Sequence, residues 1–286
     1  SRTRYKGQNA GDNEPIKLSG FSDSNNVAID RTILRNNEYR ISTNVGLTTK
    51  KSASYLNDSK IETSERKLTI GSISLALSKY FKNGASIYLK PQYVKGLKLL
   101  NAQKDESGPS DDIPRAQFQL WRIDALLSKQ FEVPKLKLPI TLSTKINGQI
   151  SEYSLFGSEQ FTIGGYSTVR GFKENNISGD HGYNFMNKAS FNLGQLLVPI
   201  FKAREGNNLE LLYKFTMEPF YDYGYVKTKY NAADGRLSGA GIKTIYSSEY
   251  FDASITYAWA IGKSNFIAST DKENKMLYFE IGTKCC

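Results

Sequence analysis

The chain has few of the side chains on which catalytic and metal centres depend. Among its 286 residues there is one histidine, His181, and the two cysteines are the last two residues, Cys285 and Cys286. A disulfide framework and a zinc site built from Cys and His are therefore excluded elsewhere in the chain. A Ser/His/Asp hydrolase such as a lipase would depend on His181, for which an ordinary loop position is the simpler interpretation. We expect no metal, no cofactor and no enzymatic activity.

Long hydrophobic runs are also absent, and no block of basic residues accompanies the net charge of +10. Without about 18 consecutive apolar residues, no transmembrane helix is expected. Lys and Arg are spread along the chain between apolar residues, so nucleic acid is not an expected partner. The mean hydropathy of −0.46 would suit a soluble protein. It is also compatible with a membrane β-barrel, because only every second residue of a barrel strand faces lipid.

Alternation of apolar and polar residues is the strongest positive signal. Over residues 136–150 the even positions are mostly apolar, whereas the odd positions are mostly polar and include Lys145, Asn147 and Gln149. This segment is longer than an average globular strand and matches a tilted membrane-spanning strand. The same pattern predicts twelve strands, at about 1–8, 16–35, 38–56, 66–82, 84–97, 116–133, 136–155, 183–196, 208–227, 236–248, 250–262 and 275–284.

These strands predict an all-β fold, an antiparallel transmembrane β-barrel. Short turns such as Lys82-Asn83-Gly84 alternate with long polar loops at 98–115 and 263–274, which is the layout of outer-membrane barrels. No segment of similar length has a convincing helix period. A large soluble β-sandwich is the alternative, and its strands would be shorter.

A segment with neither strand nor helix period lies at residues 156–182. It places Arg170 among Gly164, Gly165 and Gly171, which allow sharp turns and close approach of other backbone. Long loops without secondary structure are usually functional or disordered. The segment is not a phosphate-binding loop, because no Gly-Lys-Ser/Thr sequence follows its glycines.

Asp222 is the carboxylate that best suits this arginine. In residues 209–226 the odd positions are apolar, and the even positions carry most of the polar side chains, which are Glu210, Lys214, Thr216, Glu218 and Asp222. If the odd positions face lipid, Asp222 faces the lumen, since an aspartate on the lipid face would be costly. We therefore predict that the loop folds into the lumen and that Arg170 makes a charge-assisted contact with Asp222. The alternative is a solvated Arg170 and an ordinary Asp222 near a turn.

The loop and this strand together resemble two motifs of a known family. Gly164-Gly165 precede Val169-Arg170-Gly171-Phe172, and Phe220-Tyr221-Asp222-Tyr223-Gly224 follows on a later strand. They resemble the Val-Arg-Gly-Phe/Tyr (VRGF) loop motif and the Phe-x-Asp-x-Gly strand motif of the outer-membrane transporters of two-partner secretion. This is the TpsB or haemolysin-activator family (ShlB/FhaC/HecB-like), which belongs to the superfamily of BamA-type barrels. Further segments that look like this family are 66–69, 114–118, 155–161 and 237–241.

The resemblance implies a translocator of the bacterial outer membrane that exports a large unfolded exoprotein of the adhesin or haemolysin type. Its loop would rest in the lumen, anchored on Asp222, with Phe220 and Gly224 as the supporting motif. The inward polar residues that would line the path are Lys145, Asn147, Gln149, Lys214, Thr216 and Glu218. The implied partners are a TpsA-type exoprotein, outer-membrane lipid or lipopolysaccharide, and the barrel-assembly machinery.

The resemblance also implies a longer protein. About twelve of about sixteen expected strands are present, so residues 1–286 would be the C-terminal part of the barrel. We expect the first strands and the periplasmic POTRA domains to be absent from this chain, which starts at Ser1 without an initiator Met. The family normally ends in an aromatic residue, from which Cys285-Cys286 departs. An insertase of the same superfamily shares the arginine motif and is one alternative, and a non-transporting surface β protein is another.

Overall fold

The computed structural model describes residues 2–9, 16–61, 65–105, 108, 110, 112–174, 177–201, 209–230, 234–263 and 275–284. The chain is built almost entirely of β-strands. They are β1 (Arg2–Asn9), β2 (Ile16–Arg35), β3 (Tyr39–Leu56), β4 (Ser59–Lys60), β5 (Arg66–Tyr80), β6 (Ala85–Leu97), β7 (Gln119–Val133), β8 (Leu138–Ser151), β9 (Phe161–Ile163), β10 (Ile177–Gly179), β11 (His181–Asn192), β12 (Phe215–Lys227), β13 (Asp234–Ser247), β14 (Phe251–Lys263) and β15 (Lys275–Thr283).

Twelve of these strands form one antiparallel sheet, in which each strand pairs with its neighbours in sequence. The order is β1-β2-β3-β5-β6-β7-β8-β11-β12-β13-β14-β15, and the short β4 pairs with β3. This meander confirms the predicted all-β antiparallel architecture and the predicted number of long strands. The small hairpin β9–β10 forms a separate two-stranded sheet inside the connection between β8 and β11.

Two predicted strands were wrong at their ends, at the connection between β11 and β12. Residues Leu193–Phe201 form the helix α1, and Leu209–Lys214 form a 3-10 helix. The predicted strands 183–196 and 208–227 therefore shorten to β11 and β12. The short apolar run of α1 has no clear period, so the sequence predicts it as the end of the strand before it. The residues of the 3-10 helix alternate by chance, so the sequence predicts them as the start of β12. In the part of the chain that the structure describes, no helix is long and apolar enough to span a membrane.

Two predictions concern residues outside the described ranges. The polar loop at 263–274 falls almost wholly in the segment between β14 and β15 that the structure does not describe. The Cys285-Cys286 terminus also lies outside the described residues.

The two faces of the sheet differ as alternation predicted. On one face, termed the outer face, large apolar side chains are exposed: Val27, Ile29, Val45, Ile73, Trp121, Ile150, Tyr221, Ile255, Ile261, Leu277, Phe279 and Ile281. On the opposite face, termed the loop face, the residues that alternate with them are polar or covered by the long connections. In β12, for example, Tyr221 is exposed whereas Asp222 is fully buried. A contiguous exposed apolar face of this size requires an apolar environment.

The two ends of the sheet differ in the length of their connections. At one end, tight turns at 36–38, 81–84, 134–137 and 248–250 join the strands, together with α1 and the 3-10 helix. At the other end lie the long connections 98–118, 152–180 and 264–274, together with the shorter connections 57–65 and 228–233. Outer-membrane barrels have short periplasmic turns and longer extracellular loops. The second end, termed the long-loop end, is therefore the extracellular one.

Aromatic rings on the outer face cluster towards both ends. At the long-loop end Tyr93 contacts Trp121 with ring centroids 5.0 Å apart. At the short-turn end Tyr246 contacts Phe215 at 5.2 Å and Phe251 at 5.7 Å. Two aromatic girdles that flank an apolar band are the pattern of a barrel that crosses a bilayer.

The loop face carries two small apolar cores, both made where a long connection folds back onto the strands. The first core joins the connection 98–118 to β5 and β6, and its residues are Leu68, Ile70, Val94, Ala116, Phe118, Leu120, Leu155 and Phe156. The second joins the connection 152–180 to β12 and β13, and its residues are Ile163, Val169, Phe172, Ile177, Val226 and Leu237. Both long connections thus cover the loop face instead of extending away from the sheet.

The outer face leads to a prediction about charge. Ile255→Arg places a cation towards the middle of β14, on the lipid side, and we expect a loss of about 2–4 kcal/mol in unfolding free energy in vesicles. Phe251→Arg on the same strand and face, at its end, is the matched control and should lose about 0–1 kcal/mol. Urea titration of the protein refolded into phosphatidylcholine vesicles measures both. Equal losses at the two positions would contradict this orientation of the barrel in the membrane.

Candidate functional site: the loop arginine and its lumenal contacts

The connection between β8 and β11 folds along the loop face as a compact hairpin. Its base is the β9–β10 pair, and its tip is closed by the Gly165 amide, which donates to the Val169 carbonyl at 3.0 Å. Gly164 and Gly165 have φ values of 107° and 98°. Residues other than glycine rarely adopt these φ values. The paired glycines therefore allow the turn that positions Arg170.

Arg170 makes three hydrogen bonds to Asp222. Its backbone amide donates to Oδ2 at 3.1 Å, its Nε donates to Oδ2 at 2.7 Å, and its Nη2 donates to Oδ1 at 2.8 Å. The side chains are 6% and 0% exposed. The contact is bidentate, as an arginine and a carboxylate prefer, and the third bond fixes the loop backbone to the same oxygen.

Two motif residues of β12 shape this contact. The guanidinium carbon of Arg170 lies 3.4 Å from the ring centre of Phe220, which explains why this apolar residue interrupts the polar face of β12. A Cβ on Gly224 would lie 2.9 Å from Val169 Cγ2 and 3.0 Å from Ile163 Cδ1. Glycine at this position therefore lets the loop pack directly against β12.

Gly171 and Phe172 complete the motif on the other side of the arginine. Gly171 has a φ of 97°, and a Cβ there would lie 2.7 Å from the carbonyl carbon of Trp259 on β14. Val169 and Phe172 are buried in the second core. The loop motif is thus held by an ion pair, by close backbone approach and by apolar packing together.

Sequence reasoning missed a second polar anchor, at the base of the loop. Glu159 is 2% exposed, and it accepts a hydrogen bond at 2.6 Å from Nζ of Lys50, which lies on β3. Arg122 on β7 lies 3.9 Å from the same carboxylate and donates from Nε to Gln149 Oε1 at 2.8 Å. Gln149 in turn donates to the Glu159 carbonyl at 3.0 Å. The loop base is therefore tied to β3, β7 and β8.

Asp180, near the end of the loop, was missed as well. It is 2% exposed. Its Oδ1 accepts from the Leu155 amide at 2.8 Å, and its Oδ2 accepts from the Lys229 amide at 2.7 Å. This carboxylate closes the loop by joining its first residues to its last and to the turn after β12.

A third anchor holds the loop tip against the last strands. The Tyr166 hydroxyl donates to Glu280 Oε2 at 2.8 Å, and Lys243 Nζ donates to both Tyr166 Oη and Glu280 Oε2 at 2.7 Å. The Tyr278 hydroxyl donates to the Phe172 carbonyl at 3.3 Å. Alternation alone puts Tyr278 and Glu280 on the polar face of β15, but it gives no sign that Tyr166 would be their partner.

The residues predicted to line the path have different environments. Lys145, Asn147 and Gln149 line a cavity of about 320 Å³ between the loop and strands β7, β8 and β11. Glu218 is buried and pairs with Lys188 Nζ at 2.7 Å. Thr216 lies at the start of β12 on the loop face. Lys214 is the last residue of the 3-10 helix and not a strand residue, so the prediction from strand alternation that it faces the lumen was unfounded.

His181, which the sequence placed in an ordinary loop, instead begins β11, and its Nδ1 accepts a hydrogen bond from the Ser151 amide at 3.3 Å. In the described part of the chain no group of His, Cys, Asp and Glu side chains has the arrangement of a metal site.

Comparison with known proteins agrees with the family that the loop and strand motifs resemble. Residues 1–244 match the family model of the haemolysin secretion/activation protein ShlB/FhaC/HecB. The outer membrane transporter CdiB of Dickeya dadantii is 28% identical over 265 residues, which are 91% of this chain and 44% of that protein. The hemolysin transporter protein ShlB of Serratia marcescens is 28% identical over 182 residues, 63% of this chain and 31% of that protein. The chain thus spans less than half the length of these relatives.

The solved structure of CdiB from Escherichia coli superposes with a TM-score of 0.79 at 22% sequence identity, over 98% of this chain and 48% of that one. Together with the apolar outer face and the aromatic girdles, this fold defines a β-barrel protein of the bacterial outer membrane. The loop face is the side that faces the lumen. The chain belongs to the ShlB/FhaC/HecB family of haemolysin secretion/activation proteins.

The buried ion pair leads to a prediction about stability. Arg170→Ala and Asp222→Ala should each destabilise the folded protein by about 3–5 kcal/mol, because each leaves the other charge buried and alone. The double variant should lose much less than the sum of the two single losses. Urea unfolding in detergent micelles measures the cycle.

The control for this cycle is an exposed ion pair of the same chain. Lys17 Nζ lies 2.9 Å from Asp58, with side chains that are 43% and 73% exposed. Lys17→Ala should have little effect, since solvent screens such a pair. Additive losses at Arg170 and Asp222 would contradict the coupling of the two buried charges.

Proposed function

We propose that the protein is the barrel of an outer-membrane translocator, which exports a large unfolded exoprotein of the adhesin or haemolysin type by two-partner secretion. The observation that carries the proposal is the match of residues 1–244 to the haemolysin secretion/activation family, in whose lumen the buried Arg170–Asp222 pair holds the loop. The two curated relatives are named transporters. The barrel would be the C-terminal part of a longer protein with periplasmic POTRA domains.

The lumen offers a path for an extended polypeptide once the loop moves. Around the loop the wall carries Arg122, Asp124, Lys145, Asn147 and Asn184, which line the cavity beside it. Polar side chains of both signs can exchange hydrogen bonds with a passing main chain without holding one sequence tightly. Movement would be driven by folding of the exoprotein outside, through burial of its apolar surface.

In the resting state the loop is held at three separate places. Its base is tied through Glu159, its centre through Arg170, and its tip through Tyr166. The central contact is the most buried of the three, so it costs the most to break without replacement. We infer that the base and tip contacts release first, and that Arg170 keeps the loop in register with β12 while the lumen opens.

The proposal includes no chemical step. The protein would have no enzymatic activity, and its partners would be the exoprotein, the lipopolysaccharide around the barrel and the barrel-assembly machinery that inserts it. The driving force lies in the exoprotein and not in a cofactor.

A secretion assay tests the proposal. The protein as its gene encodes it is expressed with the large exoprotein encoded beside it, and exoprotein in the medium is measured. Arg170→Ala should lower export by roughly tenfold or more, because about 1.4 kcal/mol of lost anchoring already changes a population tenfold. Arg35→Ala, at an exposed arginine of the short-turn end, is the matched control and should leave export unchanged.

The amount of folded barrel in the outer membrane is measured in parallel by heat-modifiable mobility. Normal export by Arg170→Ala would rule out the anchoring role. If no exoprotein is exported by the unaltered protein, and its removal instead depletes many other outer-membrane barrels, the insertase alternative replaces the transporter.

A further inference from the structure

The outer face of β2, β3 and β5 has two adjoining hollows near the long-loop end. The larger of the two, termed the apolar groove, has a volume of about 460 Å³. Its lining is mainly aliphatic, with Tyr93 and Lys95 on the β6 side, and it includes Gly71, which lies directly opposite Leu47 and next to the Leu97 side chain. Strand pairing places Val27 beside Leu47, and Ile29 beside Val45 and then Ile73.

The second hollow, termed the cationic pocket, adjoins the groove on the extracellular side and has a volume of about 350 Å³. Lys51 and Lys67 line it, and they are direct cross-strand partners on β3 and β5. Like charges placed directly opposite each other on one face of a sheet are destabilising. The pair is thus an arrangement that an anion between the two ammonium groups would stabilise.

Two carboxylates lie at this pocket, and each has a cationic neighbour. Asp23, which lines the pocket, lies 3.0 Å from Arg2 Nε, and Glu65 lies 3.1 Å from Lys67 Nζ. Within the described ranges, no carboxylate pairs with Lys51, whose side chain is exposed. Lys95 adds a further cation at the edge of the apolar groove.

A short turn forms the outer wall of the cationic pocket. The Leu99 carbonyl accepts from Thr69 Oγ1 at 2.9 Å, and the Gln103 amide donates to the Lys67 carbonyl at 2.8 Å. Between these bonds Leu100 has a φ of 52° and is 67% exposed. A leucine with left-handed backbone angles is strained. This backbone conformation leaves the Leu100 side chain exposed at the edge of the cationic pocket.

These features match a ligand with a negatively charged head and an acyl chain. We propose that the two hollows form one binding site for lipid A, the phosphorylated anchor of lipopolysaccharide. One acyl chain lies in the apolar groove over Gly71, and a phosphate lies between Lys51 and Lys67. The exposed Leu100 side chain contacts the upper part of the acyl region.

The position of the site selects this lipid over other anionic lipids. The cationic pocket lies at the long-loop end, which faces the outside of the cell. In the outer membrane the outer leaflet is the lipopolysaccharide leaflet, whereas phosphatidylglycerol lies in the inner one. The inference requires the outer-membrane location, but it does not require the export activity proposed above.

Native mass spectrometry of the detergent-purified protein, as its gene encodes it, tests the site by titration with lipid A. Lys51→Gln/Lys67→Gln should bind lipid A roughly 30-fold more weakly, since each basic residue near a membrane surface contributes several-fold. The matched control is Lys129→Gln, an exposed lysine of the outer face at the short-turn end, which should bind like the unaltered protein.

A second variant tests the groove independently of charge. Gly71→Leu fills the groove and should weaken lipid A binding roughly tenfold, the equivalent of about two buried methylene groups. Gly148→Leu is its control, because it is also an outward glycine. A Cβ would meet a neighbouring aliphatic carbon at 3.0 Å at Gly71 and at 3.1 Å at Gly148. Heat-modifiable mobility verifies that each variant is folded.

Phosphatidylglycerol and inorganic phosphate serve as competing probes. We expect that neither phosphatidylglycerol nor inorganic phosphate displaces lipid A when each is added at the same concentration as lipid A. Equal binding of phosphatidylglycerol would overturn the assignment to lipid A, and displacement by inorganic phosphate alone would overturn the role of the groove. Unchanged lipid A binding by Lys51→Gln/Lys67→Gln would overturn the site altogether. None of these readouts depends on export, so the site and the proposed function can fail separately.

Discussion

The Arg170–Asp222 ion pair is the contact on which the organisation of the lumen depends. Burying two charges costs free energy unless their hydrogen bonds are satisfied. In this loop the Arg170 guanidinium and the Arg170 backbone amide both donate to the Asp222 carboxylate. The pair fixes Val169 and Phe172 over β12 and β13, where they form an apolar core inside the lumen. A large connection that would otherwise be solvated is thereby packed against the inside of the barrel wall.

The ion pair is specific because its neighbours leave only one position for the loop. Phe220 presents its ring to the guanidinium, and a Cβ on Gly224 of β12 or on Gly239 of β13 would meet the loop. The polar contacts of Glu159 and Tyr166 then fix the two ends of the loop to strands far apart in the sheet. Release of these two contacts would let the rest of the loop move about Arg170, as the proposed translocator requires.

The sequence could predict the parts of this structure that repeat with a short period. Alternation alone identified the long strands, and it placed Asp222 on the lumenal face because Tyr221 and Tyr223 had to face the other way. It failed at Leu193–Phe201 and at Lys214, where short helices have no readable period. It also missed the pairs of Glu159 with Lys50 and of Tyr166 with Glu280. Those partners are far apart in sequence, and many charged residues of the inner face were equally suitable.

Accessibility of the loop core tests the central claim most directly. With Cys285 and Cys286 changed to serine, a cysteine is introduced by Val169→Cys, at a residue that is 0% exposed, and it is treated with a membrane-impermeant thiol reagent. We expect no labelling unless Asp222→Ala is added, whereas Ser167→Cys, two positions away and exposed, should be labelled in both backgrounds. Equal labelling of Val169→Cys with and without Asp222 would show that the ion pair does not hold the loop in the lumen.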